Sequence, residues 1–521
     1  MASPESGAPV DASTLQRWLS DGCEIALLDV REAGLAGEGR PFLAVNAPYS
    51  RLELAVPSLV PRRTTRVVLL DGGEEDSRIG RLSARRLAAA GYVDVRVLAG
   101  GAPAWGASGR TLFQGVNLPS KTFGELAEHR YGVPHVGADA LRAMQASGVP
   151  LLLLDGRTLA EHRKMTIPGS VPVPNGELAR RWAAVAPAPD VPVVVHCAGR
   201  TRSIVGAQIL RDMGVANPVY ALENGTQGWA LAGHALERGS GRGLPAAPPK
   251  SASPAASGAA IGADEAQAWL DDRGRTTFVF DVRTEEEVRT RTLAGATHAP
   301  GGQLIQATDH WIGTRHARVL LVDDDGLRAP VVARWLRRLG FEARAVAAGI
   351  DAPLRVPPVE RVPIDVLPRP APASLADARL GGGHAVIDLR PSMTYRQGHA
   401  GDAAWSTRSR VVAEASRAGL RRPVLLVADE PGVAALAALD LREAGVNEIS
   451  WASAQDLLEA GWPEVATPDR PSDADAVDYL FFVHDRHDGN LEAARRYLEW
   501  ETGLVEQCHP DELATFRLDA A

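Results

Sequence analysis

The residue types that could do chemistry in this 521-residue chain converge on one stretch, Val193-Val-Val-His196-Cys197-Ala-Gly-Arg-Thr-Arg-Ser203. A cysteine reacts as its thiolate, and free cysteine, with a pKa near ~8.5, is mostly protonated at neutral pH. The neighbours of Cys197 supply what would lower that value. The apolar run before it reads as a buried strand, and a helical pattern begins near Thr201 to Ser203. The sulfur is therefore expected where loop amides and a helix N-terminus favour an anion. Arg200 and Arg202 add two positive charges, which support a thiolate and attract an anionic substrate. His196 and the pair Asp155 and Arg157, at the end of an earlier apolar run, are supporting candidates, although an internal ion pair explains Arg157 equally well. The bland reading of Cys197 is an inert cysteine packed as a small hydrophobe; its basic loop argues against that.

The other candidates are weaker. Only three cysteines occur, Cys23, Cys197 and Cys508, widely spaced and odd in number, which speaks against a disulfide framework or a CxxC metal site. Cys23 lacks basic neighbours. Cys508, next to His509, would be a resolving thiol only if the end of the chain folded over Cys197. His484, Asp485, His487 and Asp488 have ligand-type side chains but no second cluster at metal spacing, so a solvated loop is expected and no metal site.

The elements that must position Cys197 are repeated. Apolar runs ending in Asp-x-Arg occur at Leu27 to Arg31, Leu153 to Arg157, Val279 to Arg283 and Val386 to Arg390. Each is followed by a second apolar run (Val67 to Leu70, Val193 to Val195, Val319 to Val322, Val424 to Val427), then a short polar loop, then a helical pattern that stops at a glycine: Gly91, Gly214, Gly340 and Gly445. Runs of this length suit strands buried on both faces. Strand alternating with helix implies an α/β fold, with four domains each built on a central, mostly parallel sheet. Superposing the second runs puts Asp71, Asp323 and Ala428 at the position of Cys197, and surrounds them with acidic residues: Glu74 to Asp76, Asp324 and Asp325, Asp429 and Glu430.

A chain this long exceeds one core, because single cores stop growing near ~250–300 residues. The expected organisation is repeat 1 over 8–110, a connector over 111–134, repeat 2 over 135–238, a Pro/Ala/Ser/Gly-rich linker over 239–260, repeat 3 over 261–355, repeat 4 over 364–468 and a helical tail over 471–521. The linker suggests two tandem pairs, repeats 1 with 2 and 3 with 4. A net charge of −8 gives no sign of nucleic-acid binding, and the absence of a signal-like start or a long apolar run predicts a cytoplasmic protein without a membrane segment.

These residues resemble the rhodanese superfamily, in four copies over roughly 10–465. Repeat 2 carries the best match: Asp155-Gly-Arg157, Glu161-His162, Ile167-Pro-Gly-Ser170, the Cys197 loop, and Glu223-Asn-Gly225 to Gly228-Trp229. The resemblance implies a sulfurtransferase in which Cys197 takes sulfur from a small anionic donor, such as thiosulfate or a low-molecular-weight persulfide. It holds that sulfur as a persulfide and passes it to a thiol or cyanide, or to a sulfur-metabolism protein partner. No cofactor is implied beyond the covalent persulfide. Residues 198 to 203 (Ala198, Gly199, Arg200, Thr201, Arg202, Ser203) would form the substrate loop, with Ala198 and Gly199 leaving room for the added sulfur. Repeat 1 would line part of the Cys197 pocket. Two other functions stay open: a non-catalytic persulfide-carrying scaffold, suggested by three cysteine-free repeats, and a phosphatase of the same fold. The phosphatase loop needs arginine six positions after its cysteine, where this chain has Ser203.

Overall fold

The computed structural model describes residues 7–73, 77–249, 260–381, 383–419, 421–488 and 490–519. The acidic run Glu74 to Asp76 and residues 250–259 of the expected linker lie outside them, as do the side chains of His487 and Asp488. In repeat 2, β1 (His135–Val136), β2 (Leu152–Asp155), β3 (Val171–Pro172), β4 (Val193–His196) and β5 (Val219–Leu222) form a parallel sheet in the order β1-β5-β4-β2-β3. β4 is central, with Val194 between Leu153 and Tyr220. The residue that follows it, Cys197, therefore emerges at the middle of the carboxyl edge, where open α/β sheets bind ligands. Repeats 1 and 3 have the same five-strand order; repeat 4 has a four-stranded sheet and a separate antiparallel pair, His399–Ala400 with Glu464–Val465.

The helices that bear on the site are α1 (Leu118–Tyr131), α2 (Thr201–Asp212), α3 (Gly225–Leu231), α4 (Arg328–Arg338) and α5 (Leu491–Thr502). The helix-stop glycines Gly91, Gly214, Gly340 and Gly445 all have left-handed φ, at 91°, 72°, 98° and 92°, a conformation a Cβ disfavours. Among the described residues no helix is long and apolar enough to cross a membrane.

The Asp-x-Arg motif is an internal clasp. In each repeat the aspartate at the strand end accepts hydrogen bonds from the arginine side chain, as in Arg157 Nε and Nη2 to Asp155 at 2.9 and 2.7 Å. The same guanidinium reaches a carbonyl eight residues on: Arg31 to Gly39 at 2.7 Å, Arg157 to Met165 at 2.6 Å, Arg283 to Arg291 at 2.6 Å and Arg390 to Gly398 at 2.8 Å. Each aspartate also accepts the amide two residues later. Charge-assisted bonds of this kind are about twice as strong as neutral ones, and here they tie the strand end to the segment that returns beside it.

The chain divides into two compact units: Met1–Arg17, Ala26–Gln114 and Glu360–Phe481 form one, and Trp18–Ile25, Gly115–Val359 and Phe482–Ala521 the other. Repeat 1 thus packs with repeat 4, and repeat 2 with repeat 3. This corrects the pairing of 1 with 2 and 3 with 4. The physical reason is complementary surface that no linker reveals. In the second unit one continuous core contains Val195 and Ile209 of repeat 2 with Leu321 and Trp335 of repeat 3, and Phe123 of α1 meets Trp335 edge to face at 5.7 Å. In the first, Arg408 of repeat 4, 1% exposed, donates to both oxygens of Glu53 at 2.6 and 3.0 Å and lies over the Tyr49 ring at 4.2 Å. The expected tail is divided between the units after Phe481.

Removing one partner of a buried pair leaves a charge uncompensated, at a cost of about 3–5 kcal/mol. Arg408→Ala should therefore lower one thermal transition in calorimetry, that of the repeat 1 and 4 unit, while the transition of the unit that holds Cys197 stays in place.

Candidate active site

Cys197 is 2% exposed and begins the loop between β4 and α2. Its Sγ lies 3.6 Å from Ser203 Oγ, which donates in turn to the Arg200 carbonyl at 2.7 Å. Among the described residues, no backbone carbonyl accepts a hydrogen bond from the amides of residues 198 to 202. Five consecutive donors are left at the start of a 12-residue helix, an arrangement that favours an anion. The carbonyls are used instead: Cys197 and Ala198 accept the amides of Thr226 and Gln227, at the start of α3, at 2.8 and 3.1 Å. Gly225 permits this close passage. Its φ is +52°, and a Cβ there would stand 2.3 Å from the Cys197 carbonyl oxygen.

The two loop arginines have different places. Arg202 forms a bidentate pair with Glu161, both bonds 2.8 Å long. Burial alone would lower its pKa; the charges of Glu161, Cys197 and Asp155 outweigh this and hold it above the ordinary arginine value. The same pair brings Glu161 down to about 2 despite its burial. Arg202 thus interacts electrostatically with Cys197 as well as with Glu161. Arg200 is turned to the connector, where its Nε and Nη2 bond Glu125 at 2.7 and 2.9 Å and Nη2 also bonds Glu128. Its positive charge is balanced by α1.

The supporting candidates are fully buried. Asp155 accepts from Arg157 and Thr166 and contacts His162 Nδ1 at 3.0 Å; burial opposes its ionisation, and His196, Arg157 and His162 hold its carboxyl well below the usual range. His196 Nε2 lies 3.8 Å from Asp155, and neither ring nitrogen has a hydrogen-bond partner. Burial pushes His196 down to about 4, against the opposing pull of Asp155. Arg157 and Asp155 hold the sheet edge through the clasp, and His196 sits neutral beneath the loop.

Reading the sequence missed the residues that roof the loop. Glu501 of α5 is 0% exposed; its Oε1 accepts from Thr201 Oγ1 at 2.9 Å and from Lys121 Nζ at 2.8 Å, and its Oε2 has no hydrogen-bond partner. A Cβ on Gly199 would lie 2.8 Å from that oxygen and 3.5 Å from Gln227 Nε2. Both amide atoms of Gln227 are also buried without a partner. The helical spacing of the tail was readable, and Gln227 lies inside the Gly225 to Trp229 motif, but neither signal tells where α5 docks. Cys508, also in the tail, is half-buried and gives its thiol to the Leu504 carbonyl at 3.3 Å. Burial and Glu512 push it up to about 12, which leaves it a poor resolving thiol.

The other repeats fill the same position differently. Asp323 of repeat 3 turns its carboxylate into the loop, accepting the amides of Gly326, Arg328 and Ala329 at 3.0, 2.9 and 2.9 Å. Arg328, placed after Asp323 as Arg202 is after Cys197, bonds both oxygens of Glu287 at 2.8 and 3.1 Å. Asp71 of repeat 1 accepts the Gly73 amide at 2.9 Å. Repeat 3 thus keeps the loop, the arginine and the carboxylate partner, with a fixed anion where repeat 2 has sulfur.

The site is thus a buried cysteine at the centre of the carboxyl edge of an α/β sheet, followed by a run of amides that no backbone carbonyl accepts. Comparison with known proteins names the class. The family model described as "Rhodanese-like domain" matches residues 137–232 and 262–352. The chain is similar, at 34% identity and a TM-score of 0.88, to the crystal structure of a thiosulfate sulfurtransferase from Pseudomonas aeruginosa, over 98% of this chain and 99% of that one. A rhodanese-related protein from Thermoplasma volcanium matches at 24% identity over 20% of this chain and 97% of its own, with a TM-score of 0.18. A search of curated proteins found no match. The chain belongs to the rhodanese family of sulfurtransferases.

Two outcomes follow from this geometry. Arg202→Ala removes a cation that interacts with Cys197, so alkylation of Cys197 by iodoacetamide at neutral pH should slow several-fold. For His196, the unfolded chain binds a proton near 6.5 and the folded chain only near 4. Its contribution is therefore present above pH 6.5 and is lost as the pH falls towards 4, a change of about 3 kcal/mol. Urea titrations across that window should show this loss in the native protein and a flatter profile in His196→Asn.

Proposed function

We propose that Cys197 is the persulfide carrier of a thiosulfate-type sulfurtransferase. The observation that carries this reading is the run of amides at residues 198 to 202 that no backbone carbonyl accepts, set against the same loop in repeat 3, where Asp323 accepts three amides. In the first half-reaction the Cys197 thiolate attacks the outer sulfur of thiosulfate or of a small persulfide. A new S–S bond forms at cysteine, the donor's S–S bond breaks, and sulfite or a thiolate leaves with the electron pair. In the second, cyanide or an acceptor thiolate attacks the outer sulfur of the persulfide, giving thiocyanate or a new persulfide and returning the Cys197 thiolate. The loop amides and Arg202 hold the negative sulfur, while Gly199 leaves space between the loop and Glu501. The name of the Pseudomonas aeruginosa protein supports thiosulfate as donor.

The buried state of Cys197 and the carboxylate of Glu501 above its loop also favour a persulfide-carrying scaffold, in which transfer waits on a partner. A phosphatase is disfavoured, because the position six after the cysteine is Ser203, whose hydroxyl is turned to the loop's own carbonyl. Intact-mass spectrometry after incubation with thiosulfate separates the readings. A gain of roughly 32 Da that disappears with cyanide and is absent in Cys197→Ser is the expected result. A stable gain without turnover selects the scaffold, and no gain with thiosulfate or glutathione persulfide overturns both.

A further inference from the structure

Repeat 1 keeps a hollow beside the loop that lacks the cysteine. A cavity of about 610 Å³ is walled by Gly72, which follows Asp71, by Arg31 and Glu32 at the clasp, by Arg78 at the start of helix Ser77–Ala89, and by Arg410 of repeat 4. That volume falls within the ~300–1,000 Å³ usual for small-molecule sites. A second cavity of about 190 Å³ adjoins the corresponding loop of repeat 4, Ala428 to Glu430, and shares Glu32 as a wall. Asp478 lines this second cavity. The two loops that stand where Cys197 stands in repeat 2 thus border spaces joined at one carboxyl group.

The charges around Glu32 are incompletely matched. Glu32 is 7% exposed and accepts from Ser50 Oγ at 2.6 Å; among the described residues no cation forms an ion pair with it. Asp478 Oδ2 accepts the Ser392 amide at 2.8 Å, but its Oδ1 is buried without a hydrogen-bond partner. Burial raises Glu32 to about 7, and the negative charge of Asp478 pushes the same way, against Ser50 and Arg410. Two carboxyl groups in such a place are stabilised by a positive donor. The cationic wall has the opposite need. Arg78 is exposed, and Arg410 is held only loosely, by one bond of 3.2 Å to the Asp475 carbonyl and a 3.9 Å approach to its carboxylate. Guanidinium groups with unused donors in a fixed fork suit a carboxylate.

We infer that the cysteine-free pair of repeats 1 and 4 binds a small zwitterion of the amino-acid or short-peptide class, its ammonium group at Glu32 and Asp478 and its carboxylate at Arg78 and Arg410. Among the described residues its lining carries no cysteine, so its role is recognition of a ligand and not sulfur transfer. The two carboxyl groups select against simple anions, and the two arginines against simple cations.

The test is isothermal titration of the full-length Cys197→Ser protein, in which sulfur chemistry is switched off, with L-cysteine and with reduced glutathione. The controls are N-acetylcysteine, which lacks the ammonium group, and cysteamine, which lacks the carboxylate. Saturable binding of at least one zwitterion is expected, at least tenfold weaker for both controls and at least tenfold weaker in Glu32→Gln and in Arg78→Ala. Arg78 is exposed, so its variant keeps the test valid should Glu32→Gln fail to fold. The inference is overturned by absence of saturable binding with both zwitterions, by controls that bind as well as L-cysteine, or by binding that Arg78→Ala and a folded Glu32→Gln leave unchanged.

Discussion

A run of backbone amides at a strand-to-helix loop favours negative charge or an equivalent acceptor beside it, and repeats 2 and 3 meet that preference in different ways. In repeat 3 the requirement is met internally by Asp323, which takes three amides. In repeat 1 Asp71 takes one. In repeat 2 the same place holds the sulfur of Cys197. The difference between a structural loop and a reactive one is thus a single side chain, with Arg202 and Arg328 keeping the same bidentate partner in both.

Around that loop the protein balances charge almost completely. Arg200 is neutralised by Glu125, Arg202 by Glu161, and Lys121 by Glu501. In a buried site each of these cations would be costly alone. Paired, they leave the amides and the residual field of Arg202 as the force acting on the sulfur. The open oxygen of Glu501 and the unpartnered amide of Gln227 are the polar atoms on the far side of Gly199, so the space above the loop is bounded by acceptors as well as donors.

The repeats and the helix-stop glycines were legible because each depends on short-range pattern: apolar runs, period, and a left-handed turn. Cys197 was legible for the same reason, since strand, loop and helix are contiguous. The Asp-x-Arg motif was visible as a repeat marker, but its meaning as a clasp depends on a carbonyl eight residues away. The direction of Arg200 was not legible, because its partners lie on the connector helix. Glu501 was hidden further still, 300 positions from Thr201, to which it is bonded. The pairing of repeats was misread because linker composition reports chain flexibility and says nothing about which surfaces complement each other.

The amino-acid sequence by itself determined the four α/β repeats, the place of Cys197 between strand and helix and the loss of that cysteine elsewhere, all of them local properties of the chain. Only the tertiary structure decided that repeat 2 shares its core with repeat 3, that Arg202 pairs with Glu161 while Arg200 turns to the connector, and that the tail roofs the loop. These depend on side chains far apart in sequence meeting at low dielectric, where burial, charge pairing and shape select one arrangement among many that the pattern allows.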